Sequence, residues 1–458
     1  MGGVLAWAQP KLTLGAVVAV GLVLLLFRVP AVAIAILIFL TSVLPYQTQN
    51  QLGIGGGSHS PGLLLSDVLL FPALGWAVLA LAGLRLGRRE FRFVVGVFVL
   101  LIIAALAFVH GVRAGNNLSQ AGQEFRVLSG IALFLVALPL LSDRRTRRQL
   151  MIGLLAAGLT LGAWGIVQWF GHIQLGQASD FGVRQGVRLT SAGSGQLQGG
   201  EYAFPVVIVM CFAVLVSRSV RGRATMAALM LTLALNVVSC ILTFERSFWL
   251  DTLLGIGVVL VSAPGWQRIR FLLALPFFAA VFFVTLATLA PKQLTTAGER
   301  LLSLGQYAND DSVKYRLVES HFVIQRIRAH PIEGSGLGAT IFWGQPWAQV
   351  PPKSYTFSHD GYLWLAWRLG LPAAALLVLL IGIAILGRGP PDRDPFRAAV
   401  RRGAQGALAG LMLATVTFPS FSALSITCVM GVLLALAVND SRRPVESWSR
   451  RLATSAAA

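Results

Sequence analysis

The sequence predicts an all-α integral membrane protein of about 12–13 transmembrane helices, with one long outer loop that carries an amphipathic helix. Three observations lead to this fold class. First, 56% of the 458 residues are hydrophobic and only 12% are charged, with a mean hydropathy of +0.73. A water-soluble exterior needs far more polar surface than that. Second, apolar runs near ~20 residues recur along the whole chain, the length that crosses a bilayer. Third, the positive residues cluster in the short gaps between runs: Arg85, Arg88, Arg89 and Arg92; Arg144, Arg145, Arg147 and Arg148; Arg218, Arg221 and Arg223; Arg268 and Arg270; and the stretch from Arg388 to Arg402. This is the distribution of inner loops under the positive-inside rule. The same placement argues against nucleic acid as the reason for the net charge of +19.

The apolar runs place spans near 12–27, 30–45, 63–84, 92–110, 126–142, 149–170, 203–217, 224–243, 248–263, 271–290, 361–387, 404–418 and 423–438. The first two are separated only by Arg28-Val29-Pro30, where proline breaks the helix. Residues 1–45 therefore cross once or twice. The first run lacks a strong basic flank and a cleavage site and is expected to act as a signal anchor. With every arginine cluster inside, the outer segments are 46–62, 111–125, 171–202, a tight turn at 244–247, 291–360 and 419–422. The whole chain, 1–458, is expected to be one polytopic domain. Cys211, Cys240 and Cys428 lie inside apolar runs and lack metal-ligand spacing.

Two outer segments are long: the Gly/Ser/Gln-rich 171–202 and the ~70-residue 291–360. Connections beyond ~15 residues are usually functional or disordered. Within the second, Asp311 to Ala329 has helical character, with Val313, Leu317, Ser320, Ile324 and Ile327 near one face and Asp310, Asp311 and Ser312 suited to its start. His330-Pro331 ends it, and Gly334, Gly336 and Gly338 follow.

Chemistry is expected at a few of these positions. Arg246 lies between two apolar runs, where a charge is costly unless paired or at an aqueous rim. It reads as a snorkelling arginine, as an arginine neutralised by Glu245, or as an anion clamp whose fork suits phosphate oxygens. His359 stands where the long outer loop meets the next span, either as an interfacial hydrogen-bonding group or as a base for a sugar hydroxyl. Arg316 lies on the loop helix near Arg326 and Arg328, as part of a solvated basic face or as a second clamp. Glu201-Tyr202, preceded by Arg184 and Arg188, completes a polar rim. His59, His110 and His172 fall in outer segments without accompanying charge, and His321 and His330 belong to the loop helix. Asp67 and Asp251 are the deep acids. Asp392 and Asp394 sit in an arginine-rich inner loop, and Asn309-Asp310-Asp311 reads as a helix cap, so no metal is expected.

Three segments, in this order and spacing, resemble the O-antigen ligase and polysaccharide polymerase superfamily: TFERSFW at a span end, YRLVESHFVIQRIRAHPIEGSGLG on the loop helix, and SHDGYLWLAWRLGLPA opening the next span. The resemblance covers about residues 180–380. It implies a bacterial inner-membrane glycosyltransferase working without cofactor on the periplasmic face. The implied donor is a glycan on undecaprenyl pyrophosphate. The implied acceptor is a hydroxyl of a lipid A core or a growing polysaccharide, with membrane lipid around both and no nucleic acid. Carried over residue by residue, it puts the pyrophosphate clamp at Arg246 and Arg316, with Arg184 and Arg188 as further candidates, and the base at His359. Glu245, Glu201, Asp360 and Tyr362 are the supporting residues. The chain departs from the family pattern at Glu245, at Asp360 in place of asparagine, and at Gly199-Gly200-Glu201. A transporter or flippase for a lipid-linked or anionic solute is the alternative; it requires deep charges and broken helices. A non-catalytic assembly partner is a third reading, in which Arg246 and His359 are dispensable.

Overall fold

The computed structural model describes residues 24–43, 65–171 apart from 85, 174–175, 185–189, 195–198, 202–269 apart from 221 and 244, 311–345, 350–387 and 394–439, with a few short pieces elsewhere. The expected spans 12–27 and 271–290 lie largely outside these residues. The remainder is an all-α membrane protein. Its helices are α1 (Pro30–Val43), α2 (Leu65–Ala82), α3 (Arg88–Arg113), α4 (Leu118–Ser129), α5 (Leu133–Ser142), α6 (Arg144–Gly171), α7 (Ala203–Val216), α8 (Arg223–Leu242), α9 (Arg246–Ser262), α10 (Asp311–Ala329), α11 (Gly361–Leu369), α12 (Leu371–Leu386), α13 (Pro395–Ala414) and α14 (Leu424–Val438). Among the described residues, four stretches are long and apolar enough to cross a bilayer: Arg88–Arg113, Leu118–Ser142, Arg144–Gly171 and Arg223–Leu242.

Helix ends follow local chemistry. Asp143 accepts from the amides of Arg145 and Thr146 at 3.0 and 2.9 Å, so α6 starts five residues before the expected 149 and takes its arginines into its first turns. Asp394 accepts from Phe396 N at 3.0 Å, with Pro395 beginning α13. The acid set aside as a metal ligand is therefore a helix cap. Asn117 accepts from Gln120 N at 3.0 Å and starts α4 eight residues before the expected 126, which makes helical part of what was expected as the outer segment 111–125. His110, expected in an outer segment, sits in the last turn of α3. The expected span 361–387 is two helices. Gly370, at φ +85°, separates them, a conformation that a Cβ disfavours.

The centre is built on α5 and α14, which are buried almost all round and pack on each other. α13 joins α14 to α7 and α9. α6 and α8 are held by polar side chains: Asn236 Nδ2 donates to Gly158 O and Ser239 Oγ to Gly162 O, both at 2.9 Å. Such donors need a partner where water is absent. In the 171–202 segment the backbone forms three short antiparallel strands, β1 (Gln174–Leu175), β2 (Gln185–Leu189) and β3 (Gly195–Gln198), in the order β1-β2-β3. A hairpin of β4 (Ile341–Gln345) and β5 (Val350–Tyr355) follows α10.

The turn after α10 is threaded into the bundle. Leu337 N donates to Ala107 O at 3.1 Å, and Asn116 Nδ2 reaches Ser335 O and Leu337 O at 3.1 and 3.0 Å. Gly336, at φ +75°, comes so close to α3 that a Cβ there would lie 2.6 Å from the Gly111 backbone. Beneath the turn Arg368, fully buried, pairs with Glu124 at 2.7 Å, lies 3.7 Å over the Trp367 ring, and donates to Ala339 O and Thr356 O. Glu124 also accepts from Gly338 N at 2.8 Å and from Gln120 Nε2 at 2.9 Å.

Removing one partner of a buried pair strands the other, at about 3–5 kcal/mol. Arg368→Met is therefore expected to lower the midpoint at which a thiol-reactive dye reaches the three buried cysteines on heating. Adding Glu124→Leu is expected to recover part of the loss. A midpoint unchanged in Arg368→Met would contradict the latch.

Candidate functional site

The amphipathic helix expected within 291–360 folds as the sequence predicts, but turns a different face inward. An i, i+4 stripe of Tyr315, Glu319, Val323 and Ile327 turns inward, with Glu319, Val323 and Ile327 buried, while Leu317 and Ile324 point out. The reason is its partners. α10 packs on α11 and β4, and Tyr315 and Phe322 meet Trp343 of β4 at 4.8 and 6.3 Å between ring centroids.

Burying Glu319 brings its carboxylate to His359. Glu319 Oε2 accepts from the His359 backbone N–H at 2.9 Å, and His359 Nδ1 lies 3.1 Å from Oε2 and 3.2 Å from Oε1. A carboxylate only accepts, so in a neutral imidazole held this way the nitrogen facing it carries the proton and the lone pair is on Nε2. The rings of Tyr315 and Phe357 stand edge-on to the imidazole at 5.3 and 5.2 Å. Glu319 is 1% exposed and His359 30% exposed, so the carboxylate is sealed while the imidazole stays reachable. Burial, then the neighbouring Glu319, push the Tyr315 hydroxyl above its ordinary range, which keeps it neutral. Burial likewise raises Asp360, against the opposing effect of the α11 amides that it caps at 2.8 and 3.0 Å.

Arg316 follows Tyr315 on the same turn. It is half-buried, and its Nε is buried without a hydrogen-bond partner among the described residues. Arg246 is the first residue of α9 and is half-buried. Two residues on, Phe248 meets Phe418 edge-to-face at 5.4 Å. Two residues after His359, Gly361 donates from its amide to Thr415 O at 2.9 Å, and a Cβ there would lie 3.3 Å from Phe418 O. Arg246 and His359 therefore reach the same end of α13 through one turn. The Arg147 and Arg397 cluster marks the other end of α13, about 30 Å away along its 20 residues.

The remaining expected residues separate. Tyr362 Oη donates to Met412 O at 2.6 Å and anchors α11 to α13. Asp360 is the α11 cap. Glu245 is the residue before α9, its amide donating to Thr243 Oγ1 at 3.3 Å. The backbone places Arg188 on β2, opposite Gln196. Arg184 and Glu201 lie outside the described residues.

Sequence reasoning missed Glu319, Glu124 and Arg368. Glu319 had a signal, four residues after Tyr315 on a helix. Arg368 had a stronger one, a lone cation in the apolar run WLAWRLGLP.

Residues 229–378, about a third of the chain, match a family model described as O-antigen ligase. This stretch includes Arg246, Arg316, Glu319, His359 and Arg368. No curated protein matches the chain.

Because Glu319 and His359 contact each other directly, their effects are expected to be non-additive. In a denaturation series, the double variant Glu319→Ala/His359→Ala is expected to lose about 0.5–3 kcal/mol less than the sum of the two singles. Strict additivity would mean that the pair carries no coupling.

Proposed function

Starting from residues 229–378 as an O-antigen ligase family domain in a multi-pass membrane protein, we propose that the chain transfers a glycan from undecaprenyl pyrophosphate to an acceptor hydroxyl. The acceptor is a lipid A core or a growing polysaccharide. The reaction runs on the periplasmic face of the bacterial inner membrane, because the positive-inside rule assigns the arginine clusters to the cytoplasm and the His359 end of α13 faces away from them. The observation that carries this reading is the sealed Glu319 carboxylate on His359 Nδ1, one turn from a half-buried arginine.

The acceptor hydroxyl attacks the anomeric carbon and passes its proton to His359 Nε2. Glu319 holds the ring in the right tautomer and stabilises the imidazolium that forms. The bond to the pyrophosphate breaks as the new glycosidic bond forms, so a single displacement inverts the centre. Negative charge develops on the leaving group, and Arg246 and Arg316 meet it with fixed donors, each worth ~3–4 kcal/mol. Two guanidiniums do for the pyrophosphate what a divalent ion does in other transferases, so the reading needs no metal.

A transporter reading draws on three other features. Both carboxylate oxygens of Asp251 are buried in α9 without a hydrogen-bond partner among the described residues. The bundle also holds the Asp67–Arg126 pair at 2.7 Å and the helix break at Gly370. Transfer assays separate the two readings.

In reconstituted membranes with chelator present, wild type is expected to transfer glycan from the pyrophosphate-linked donor. His359→Ala is expected to lose ~10²–10⁴-fold, and Arg246→Ala ~10²-fold or more. Glu319→Gln is expected to lower kcat with little change in KM. Equal transfer by all four proteins would remove the base-and-clamp mechanism. Movement of the intact donor across the membrane without transfer would favour the transporter.

A further inference from the structure

At the end of α13 remote from His359, the sequence places Arg144, Arg147 and Arg148 in the first turns of α6 and only apolar or small residues above them on the same face, through Met151, Leu154, Gly158 and Leu161. This face lines a cavity of about 530 Å³ between α6, α7, α8, α13 and α14, with α1 at its edge. That volume is within the range of ligand sites, ~300–1,000 Å³. The opposite wall is apolar, including Val207, Met210 and Leu433. From Arg144 to Leu161 the slot follows α6 for about 25 Å, most of the ~30 Å of bilayer hydrocarbon.

The polar groups gather at one end. Arg144, Arg147 and Arg148 line the slot there with one carboxylate among the described residues, Asp394, which caps α13 and lies 3.7 Å from Arg397. Arg147 also lines, with Arg397 and Arg401, a small cavity next to the slot. A hydrocarbon chain along an apolar slot of this size would make dispersion contacts with its whole wall. An anionic group at the arginine end completes the match, since basic pockets between membrane helices suit acidic lipid headgroups.

We propose that this slot binds an acidic phospholipid, its phosphate held by Arg144, Arg147 and Arg148 and an acyl chain lying along α6 toward Leu161. The occupant is not the glycan donor of the proposed reaction. The arginines stand about 30 Å along α13 from the turn that holds His359, so a pyrophosphate at one end cannot reach the other.

The test is native mass spectrometry of the full-length protein in detergent, after incubation with equal amounts of phosphatidylglycerol, phosphatidylcholine and undecaprenyl phosphate. Phosphatidylglycerol is expected to be retained about tenfold or more over phosphatidylcholine. Arg144→Gln with Arg148→Gln is expected to abolish that preference. Arg92→Gln with Arg145→Gln removes the same charge from exposed positions that do not line the slot, and is expected to preserve it. Equal retention of the two phospholipids by wild type, preference for undecaprenyl phosphate, or equal effects of the two double variants would each overturn the proposal. The wild-type comparison decides alone if either variant fails to fold.

Discussion

A guanidinium cannot shed its charge, so an arginine buried at zero exposure must find an acceptor for each donor that it can orient. Arg368 meets most of this demand through its two terminal nitrogens, at the Glu124 carboxylate and the Ala339 and Thr356 carbonyls, and lies over the face of Trp367, while its Nε has no hydrogen-bond partner among the described residues. These partners come from α4, from the glycine turn after α10, from the segment between β5 and His359, and from α11 itself. Satisfying one charge therefore ties three distant parts of the chain. Thr356 stands three residues before His359, so the same bonds limit where the imidazole can lie. Glu124 repeats the logic from the acidic side by capturing Gly338 N.

The site inherits its geometry from this latch. With Ala339 and Thr356 held on one side and α10 packed on α11 on the other, the Glu319 carboxylate lies against the backbone and ring of His359. A buried carboxylate beside a partly exposed imidazole is the arrangement in which the ring's outer nitrogen accepts a proton and the inner one is held. The aromatic edges of Tyr315 and Phe357 restrict rotation of the ring. Arg316 rides on the same helix as Glu319, so docking α10 positions the His359 imidazole and one cation together. Arg246 arrives separately, through Phe248 on the turn after α13. In the proposed reading the two ends of α13 have different tasks, proton and phosphate chemistry at one and a cationic apolar slot at the other.

Much of this was legible in the residues. Hydropathy and arginine spacing indicate an all-α membrane protein, and the 311–329 helix, with its stop at His330-Pro331, is found as the residues predict. What escaped depended on tertiary partners. The inward stripe of α10 is chosen by Trp343 and α11, neither visible from the 3.6-residue period, so Leu317 and Ile324 were assigned to the wrong face. Glu124 lies 244 residues from Arg368, and no local pattern pairs them. Gly370 could have been read as a break, since Gly-Leu-Pro interrupts an otherwise continuous apolar run. The helix starts at Asn117 and Asp143 follow cap chemistry that the hydropathy of a span does not register.

The central claim is that Glu319 fixes the tautomer of His359 so that Nε2 is the accepting atom. The measurement that tests it most directly is ¹⁵N magnetic resonance of histidine-labelled protein in lipid, with the His359 signals assigned by their loss in His359→Gln. The account predicts a neutral ring protonated at Nδ1 and unprotonated at Nε2, changing to a mixture of tautomers in Glu319→Ala. A proton on Nε2 in the wild-type protein, or a spectrum indifferent to Glu319→Ala, would contradict it.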